Sequence, residues 1–117
     1  MHQAFDMNVL ARLCDEVGEI AASAFVRSFS DMLEERLIRI DLAHPVMDPQ
    51  EWSSAVTGLG TSANRAGAQR IEQTCANLLT IDPSDVFALE DSKGRLRTDG
   101  RIFALAFASF LNGQTLA

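Results

Sequence analysis

The side chains in this 117-residue chain that could act as nucleophiles, proton carriers or metal ligands are few and scattered. An imidazole can carry a phosphoryl group or hold a metal, and a thiolate can attack a carbonyl, but each works with a partner: a base, a second ligand or a resolving thiol. The two histidines are His2, in an N-terminal tail, and His44, directly before Pro45. The two cysteines, Cys14 and Cys75, form no CxxC pair and belong to no His/Cys cluster. They read as small, reduced core residues. No His-x-x-x-His spacing, glycine-rich phosphate loop or Ser/His/acid order is present. The adjacent acids Asp15-Glu16 and Glu34-Glu35 point in different directions from their helices and read as solvated surface. His44 reads as a cation complementing a helix C-terminal dipole, with a phosphoacceptor role as its sharper alternative. This set implies no metal, no cofactor and no catalytic constellation.

The elements that must carry these residues are helical. Val9, Leu10, Leu13 and Cys14 or Val17 recur at helical spacing over Asp6 to Val17, which Gly18 interrupts. A long helix follows from Glu19 to Leu42, with an apolar stripe of Ala22, Phe25, Phe29, Met32/Leu33, Leu37 and Ile40, and with Glu35 and Arg39 as an i,i+4 pair. Pro45 stops it. Asp48, Pro49 and Glu51 form a capping box with proline at the first helical position, and Met47 and Trp52 stand where a hydrophobic staple sits. The third helix then runs to Ala66 with Gly67 as its left-handed stop. Gly58 and Gly60 inside it cost about 1 kcal/mol each against alanine, so small side chains are wanted there for close packing or close approach of a partner. A fourth helix covers Ala68 to Thr80 with Ile71, Cys75, Leu78 and Leu79 inward, and Asp82-Pro83 ends it. Residues 83–97 read as a loop, a short helical turn or a hairpin about Ser92-Lys93-Gly94. A last helix starts near Thr98/Asp99 and ends at Asn112-Gly113, with Phe103, Phe107 and Phe110 on one face and Ile102, Leu105 and Ala106 or Ser109 on a second. That second face needs a cover, either the 83–97 segment folded over it, which favours a monomer, or a homodimer.

The stretch 59–79 is the most informative. Leu59, Gly67-Ala68, Ile71, Cys75 and Leu78 follow one another as two helices meeting at a glycine, with small residues before it. The pattern resembles the centre of histidine phosphotransfer domains, His-x-Leu-Lys-Gly-Ser-x-Ala-x-x-Gly-Ala followed by Leu, Cys and Leu. The resemblance covers residues 6–80 and extends to 98–112 in outline. It implies an all-α, antiparallel four-helix bundle with a short extra N-terminal helix, and a partner that is a receiver or histidine-kinase domain. Laid on Leu59 and Gly67-Ala68, the phosphoacceptor position falls on Thr57, the lysine on Gly60 and the glycine on Thr61. A slip of one residue puts Val56 there instead. Either way the histidine is missing. A hydroxyl is a weak nucleophile without an adjacent base, and positions 53, 54, 60 and 61 are Ser, Ser, Gly and Thr. The resemblance therefore implies a non-catalytic adaptor or modulator of two-component signalling, with Thr57, Gly60, Thr61 and Asn64 as the partner-binding face. The alternatives are a helical structural or dimerisation module, and an active phosphotransfer protein using His44.

Composition bounds these readings. The length suits one domain, residues 1–117, and 47% hydrophobic with 22% charged residues suits a globular chain. The net charge of −6 disfavours nucleic acid as a ligand. It is uneven: residues 1–52 hold ten acids against four arginines, whereas residues 53–117 hold six of each sign. Lys93, Arg95, Arg97 and Arg101 form either a small basic patch or a solvated loop. The longest uncharged apolar run, 102–111, is short of the ~18 residues that span a bilayer. The N-terminus has no basic region leading into an apolar one, so no membrane and no secretion signal are expected, and the cytoplasm is the expected compartment.

Overall fold

The computed structural model describes the backbone of residues 6–116 and the side chains of residues 6–109. Among the described residues it contains five helices and no strand: α1 Met7–Val17, α2 Glu19–Leu42, α3 Pro49–Ala66, α4 Gln69–Thr80 and α5 Val86–Leu116. The extents are 50 × 24 × 22 Å, the long axis matching the ~46 Å that a 31-residue helix spans. None of these helices is long and apolar enough to cross a membrane.

Each boundary has a local cause. The Asp6 carboxylate accepts the Asn8 N–H at 2.9 Å to start α1, and Gly18, at φ 90°, ends it and turns the chain into α2. Asp48 accepts the Glu51 N–H at 3.1 Å to start α3. The reciprocal half of the expected capping box is not made. Glu51 instead takes a 2.6 Å hydrogen bond from Arg39 Nε, and the Asp48 N–H donates to the His44 carbonyl. That same contact takes Arg39 away from Glu35, its expected partner. The hydrophobic staple also fails, because Trp52 turns into the core and leaves Met47 exposed.

Helices α2 and α3, α3 and α4, α4 and α5, and α5 and α2 pack pairwise, and α1 lies on α2 and α3. Their shared interior holds Phe29, Leu33 and Ile40 of α2, Val56 and Leu59 of α3, Ile71 and Leu78 of α4, and Leu96 and Phe103 of α5. Helices α2 and α5 run antiparallel, with Phe29 edge-on to Phe103, Leu37 against Gly100, and Asp41 bonded to Arg97. A Cβ on Gly100 would stand 3.0 Å from Leu37 Cδ1, so the missing side chain lets the two helices close.

The main correction falls on residues 83–97. Residues 83–85 are a short turn, and no hairpin forms about Ser92-Lys93-Gly94. From Val86 onward the segment is the first third of α5, which the Asp85 side chain starts by accepting the Ala88 N–H at 3.1 Å. The helix expected to begin at Thr98/Asp99 and stop at Asn112-Gly113 is the continuation of that element and runs to Leu116. Neither reading of the local bases holds: they stand on helix, and Lys93, Arg95 and Arg97 pair with Glu90, Asp91 and Asp41. Since 86–97 is rigid helix, it cannot fold over the second face of α5. Leu105 there is 70% exposed, and Phe110 lies outside the described side chains. Leu79, expected inward, is also exposed.

Candidate functional site

Gly67 organises the site. It adopts φ 78°, ψ 18°, its N–H donates to the Asn64 carbonyl at 3.3 Å, and the Ala68 N–H donates to the Ala63 carbonyl at 2.9 Å. That is the Schellman termination of a helix, and it sends α4 back along α3. Thr57, Thr61 and Asn64, one turn apart, stand exposed on α3, with Gly60 half-buried among them. With Ala76 and Leu79 of α4 they line a shallow groove of about 320 Å³. Asn64 Nδ2 donates to Glu72 Oε2 at 2.6 Å and closes one end of it. The four residues singled out in the sequence therefore share one face. The α4 wall, Ala76 and Leu79, was missed because helical spacing alone places Leu79 beside Leu78 in the core.

The groove's chemistry is sparse. Glu72 is its one lining carboxylate, and it sits at the level of Asn64, seven residues or ~10 Å along α3 from Thr57. Thr57 thus has no base within reach. Cys75 forms part of the floor, but burial above all, then the charges of Asp99 and Glu72, push its thiol up to about 12. It stays protonated and unreactive near neutrality. A thiol reagent at neutral pH should label Cys14 in the native protein and Cys75 only on unfolding; equal labelling rates would show that the α3–α4 contact opens.

The two interior glycines of α3 separate cleanly. A Cβ on Gly60 would lie 3.3 Å from Cys75 Cβ, so Gly60 serves the close approach of α3 and α4. A Cβ on Gly58 would meet nothing within 4 Å. Gly58→Ala should therefore stabilise the protein by about 0.5–1 kcal/mol, raising the thermal midpoint by about 2–4 °C; a fall in that midpoint would mean Gly58 has a contact the structure does not show. Gly58 borders a second, larger groove of about 950 Å³ between α2 and α3, flanked by Met32 and Leu42 and crossed by a 2.8 Å bond from Arg36 to Ser62 Oγ.

His44 also borders that second groove, in the α2–α3 turn. Nδ1 accepts the N–H groups of Val46 at 3.2 Å and Met47 at 3.1 Å, so the imidazole shapes the turn that follows α2. His2 lies outside the described residues. Comparison of the chain with known family models, with curated proteins and with solved structures returns no significant match.

Proposed function

We propose that the chain is a non-catalytic member of the histidine-phosphotransfer type, an antiparallel four-helix bundle of α2–α5 with α1 as its short extra helix. It binds a response-regulator receiver or a histidine kinase in the cytoplasm as an adaptor or modulator, without an enzymatic step. One observation carries this reading: Thr57, Gly60, Thr61 and Asn64 lie together on an accessible face of α3, with a threonine where the phosphotransfer pattern has its imidazole. Small, uncharged side chains leave room for a partner's loop, and no neighbouring base activates the Thr57 hydroxyl.

The test pairs binding with phosphate transfer against a panel of receiver domains. The wild type should bind at least one receiver and acquire no acid-labile phosphate from it. Thr61→Arg should abolish that binding while leaving the helical circular dichroism unchanged, since Thr61 is exposed. If the variant binds every receiver as well as the wild type does, the face is wrongly placed. Phosphohistidine at His44 would instead establish the phosphotransfer alternative.

A dimerisation module is the second reading, favoured by Leu105 at 70% exposure on a helix whose expected cover does not exist. A stable dimer in light scattering that Leu105→Ser dissociates would support it.

A further inference from the structure

Away from the α3–α4 groove, four helices meet at one end of the molecule: α2 and α4 finish there, and α3 and α5 begin. Two contacts fix the arrangement. Arg97 Nη1 donates to both oxygens of Asp41 at 2.9 and 3.0 Å, and Lys93 Nζ lies 5.4 Å from the centre of the Trp52 ring. Phe87 is six residues before Lys93, hence ~9 Å further out along α5. The Met47 turn likewise precedes Trp52 at the start of α3. The end face is bounded by the short extents of the molecule, 24 × 22 Å, about two helix diameters each way.

This face is apolar where it should be polar. Phe87 is 90% exposed, Met47 82% and Leu42 81%, with Val46 and Val86 also exposed. Seven other large apolar side chains are exposed elsewhere among the described residues, but these five gather where four helices start or finish, and so mark a contact surface.

Charge decides what it contacts. Arg39, Lys93, Arg95 and Arg97 are each tied to a carboxylate, of Glu51, Glu90, Asp91 and Asp41 respectively. Those four pairs cancel. Asp48, Asp82 and Asp85 remain, so seven acids against four bases leave −3 at this end. The three are fixed in place. Asp48 and Asp85 cap α3 and α5, and Asp82 accepts both the N–H and the hydroxyl of Ser84, which hold its carboxyl below the usual range. Two helix N-termini and two C-termini share the end, so their dipoles offset one another and the formal charge stands. A second copy would bring −3 against −3. An anionic bilayer or a nucleic acid would be repelled in the same way.

We infer that this end face docks an amphipathic segment of a partner protein that carries lysine or arginine beside its apolar residues. A helix laid across 24 Å presents about four turns. Its apolar side would cover Val46, Met47 and Phe87, and its cations would meet Asp48, Asp82 and Asp85. The inference is independent of receiver binding, which uses a different face.

Two synthetic helical peptides of about four turns test it, one built from leucine and lysine at helical spacing, the other with glutamate in place of lysine. The lysine peptide should bind, more weakly as salt rises from about 50 to about 500 mM, and should shift the backbone amide resonances of Val46, Met47 and residues 85–88. Phe87→Ser with Met47→Ser should weaken it by about tenfold or more. Ile20→Ser removes an equally exposed apolar side chain, 89% accessible, at the start of α2 and thus at the opposite end, and should leave affinity unchanged. All three substitutions fall on exposed side chains, so folding is retained. The idea is overturned if the lysine peptide does not bind, if the glutamate peptide binds equally, or if the Phe87/Met47 variant matches the wild type. It is equally overturned if those substitutions dissociate a homodimer, which would make a second copy the occupant. Receiver binding measured on the same variants should not change, so the two sites stand or fall separately.

Discussion

Phe103→Ala is expected to lower the unfolding free energy by about 3–5 kcal/mol, a large share of the 5–15 kcal/mol typical of a domain. Phe103 is fully buried, edge-on to Phe29 at 5.2 Å between centroids and near-parallel to Phe107 at 6.2 Å. Alanine there would leave a ring-sized void between α2 and α5. The walls cannot collapse into it easily, because Gly100, one turn away, already brings the two backbones as close as Leu37 allows. Urea unfolding followed by circular dichroism measures the loss. A loss below about 1 kcal/mol would mean the site refills freely, and α5 does not dock on α2 as described.

That same helix shows where the sequence stopped being legible. Among the described side chains, the inward positions of α5 are Leu89, Lys93, Leu96, Gly100, Phe103 and Phe107, spaced by four and three in turn. This is a heptad seam, but two of its six residues are a lysine and a glycine, the types that ordinarily mark a surface or a break. Lys93 lies buried because its stem lies along the core, its charge over Trp52 and beside Glu90. Gly100 is tolerated because a neighbouring helix needs its space. Both reasons are tertiary, and Ser92-Lys93-Gly94 read locally is a turn. By contrast, α1 was readable from its apolar spacing, and the other boundaries of α1, α2 and α3 were readable because they rest on local chemistry: the Asp48 cap, the glycines at 18 and 67, and Pro45.

The candidate face on α3 was legible for a related reason. Thr57, Gly60, Thr61 and Asn64 share one side of any regular helix, so a correct helix was enough to group them. What the helix alone could not divide was the work of its two glycines. Gly60 answers to Cys75 across the helix pair, and Gly58 answers to nothing. The role of His44 was hidden for the opposite cause. A ring nitrogen accepting two backbone N–H groups depends on the exact path of the Pro45 turn, and no spacing rule encodes that.

Gly67→Ala should be the costliest single-carbon change in the chain, at about 2–4 kcal/mol. The first part is intrinsic: alanine at φ 78° pays about 1–2 kcal/mol for left-handed geometry. The second part is steric. The new Cβ would stand 2.9 Å from the Asp6 carbonyl oxygen and 3.3 Å from Val9 Cβ, so the start of α1 must move. Moving it strains the 2.8 Å bond from the Asp6 N–H to the Gly67 carbonyl, which anchors α1 to the α3–α4 turn. Gly67→Asn separates the two parts, since asparagine tolerates left-handed backbone but carries the same Cβ. The asparagine variant should therefore lose less stability than alanine yet clearly more than nothing. Hydrogen exchange should show early opening at the N-terminal turn of α1 in both variants. If asparagine proves neutral and α1 stays protected, the contact with Asp6 does not constrain the turn, and α1 is held by Leu10, Leu13 and the hydrogen bond from the Gln69 side chain to the Asp6 carboxylate.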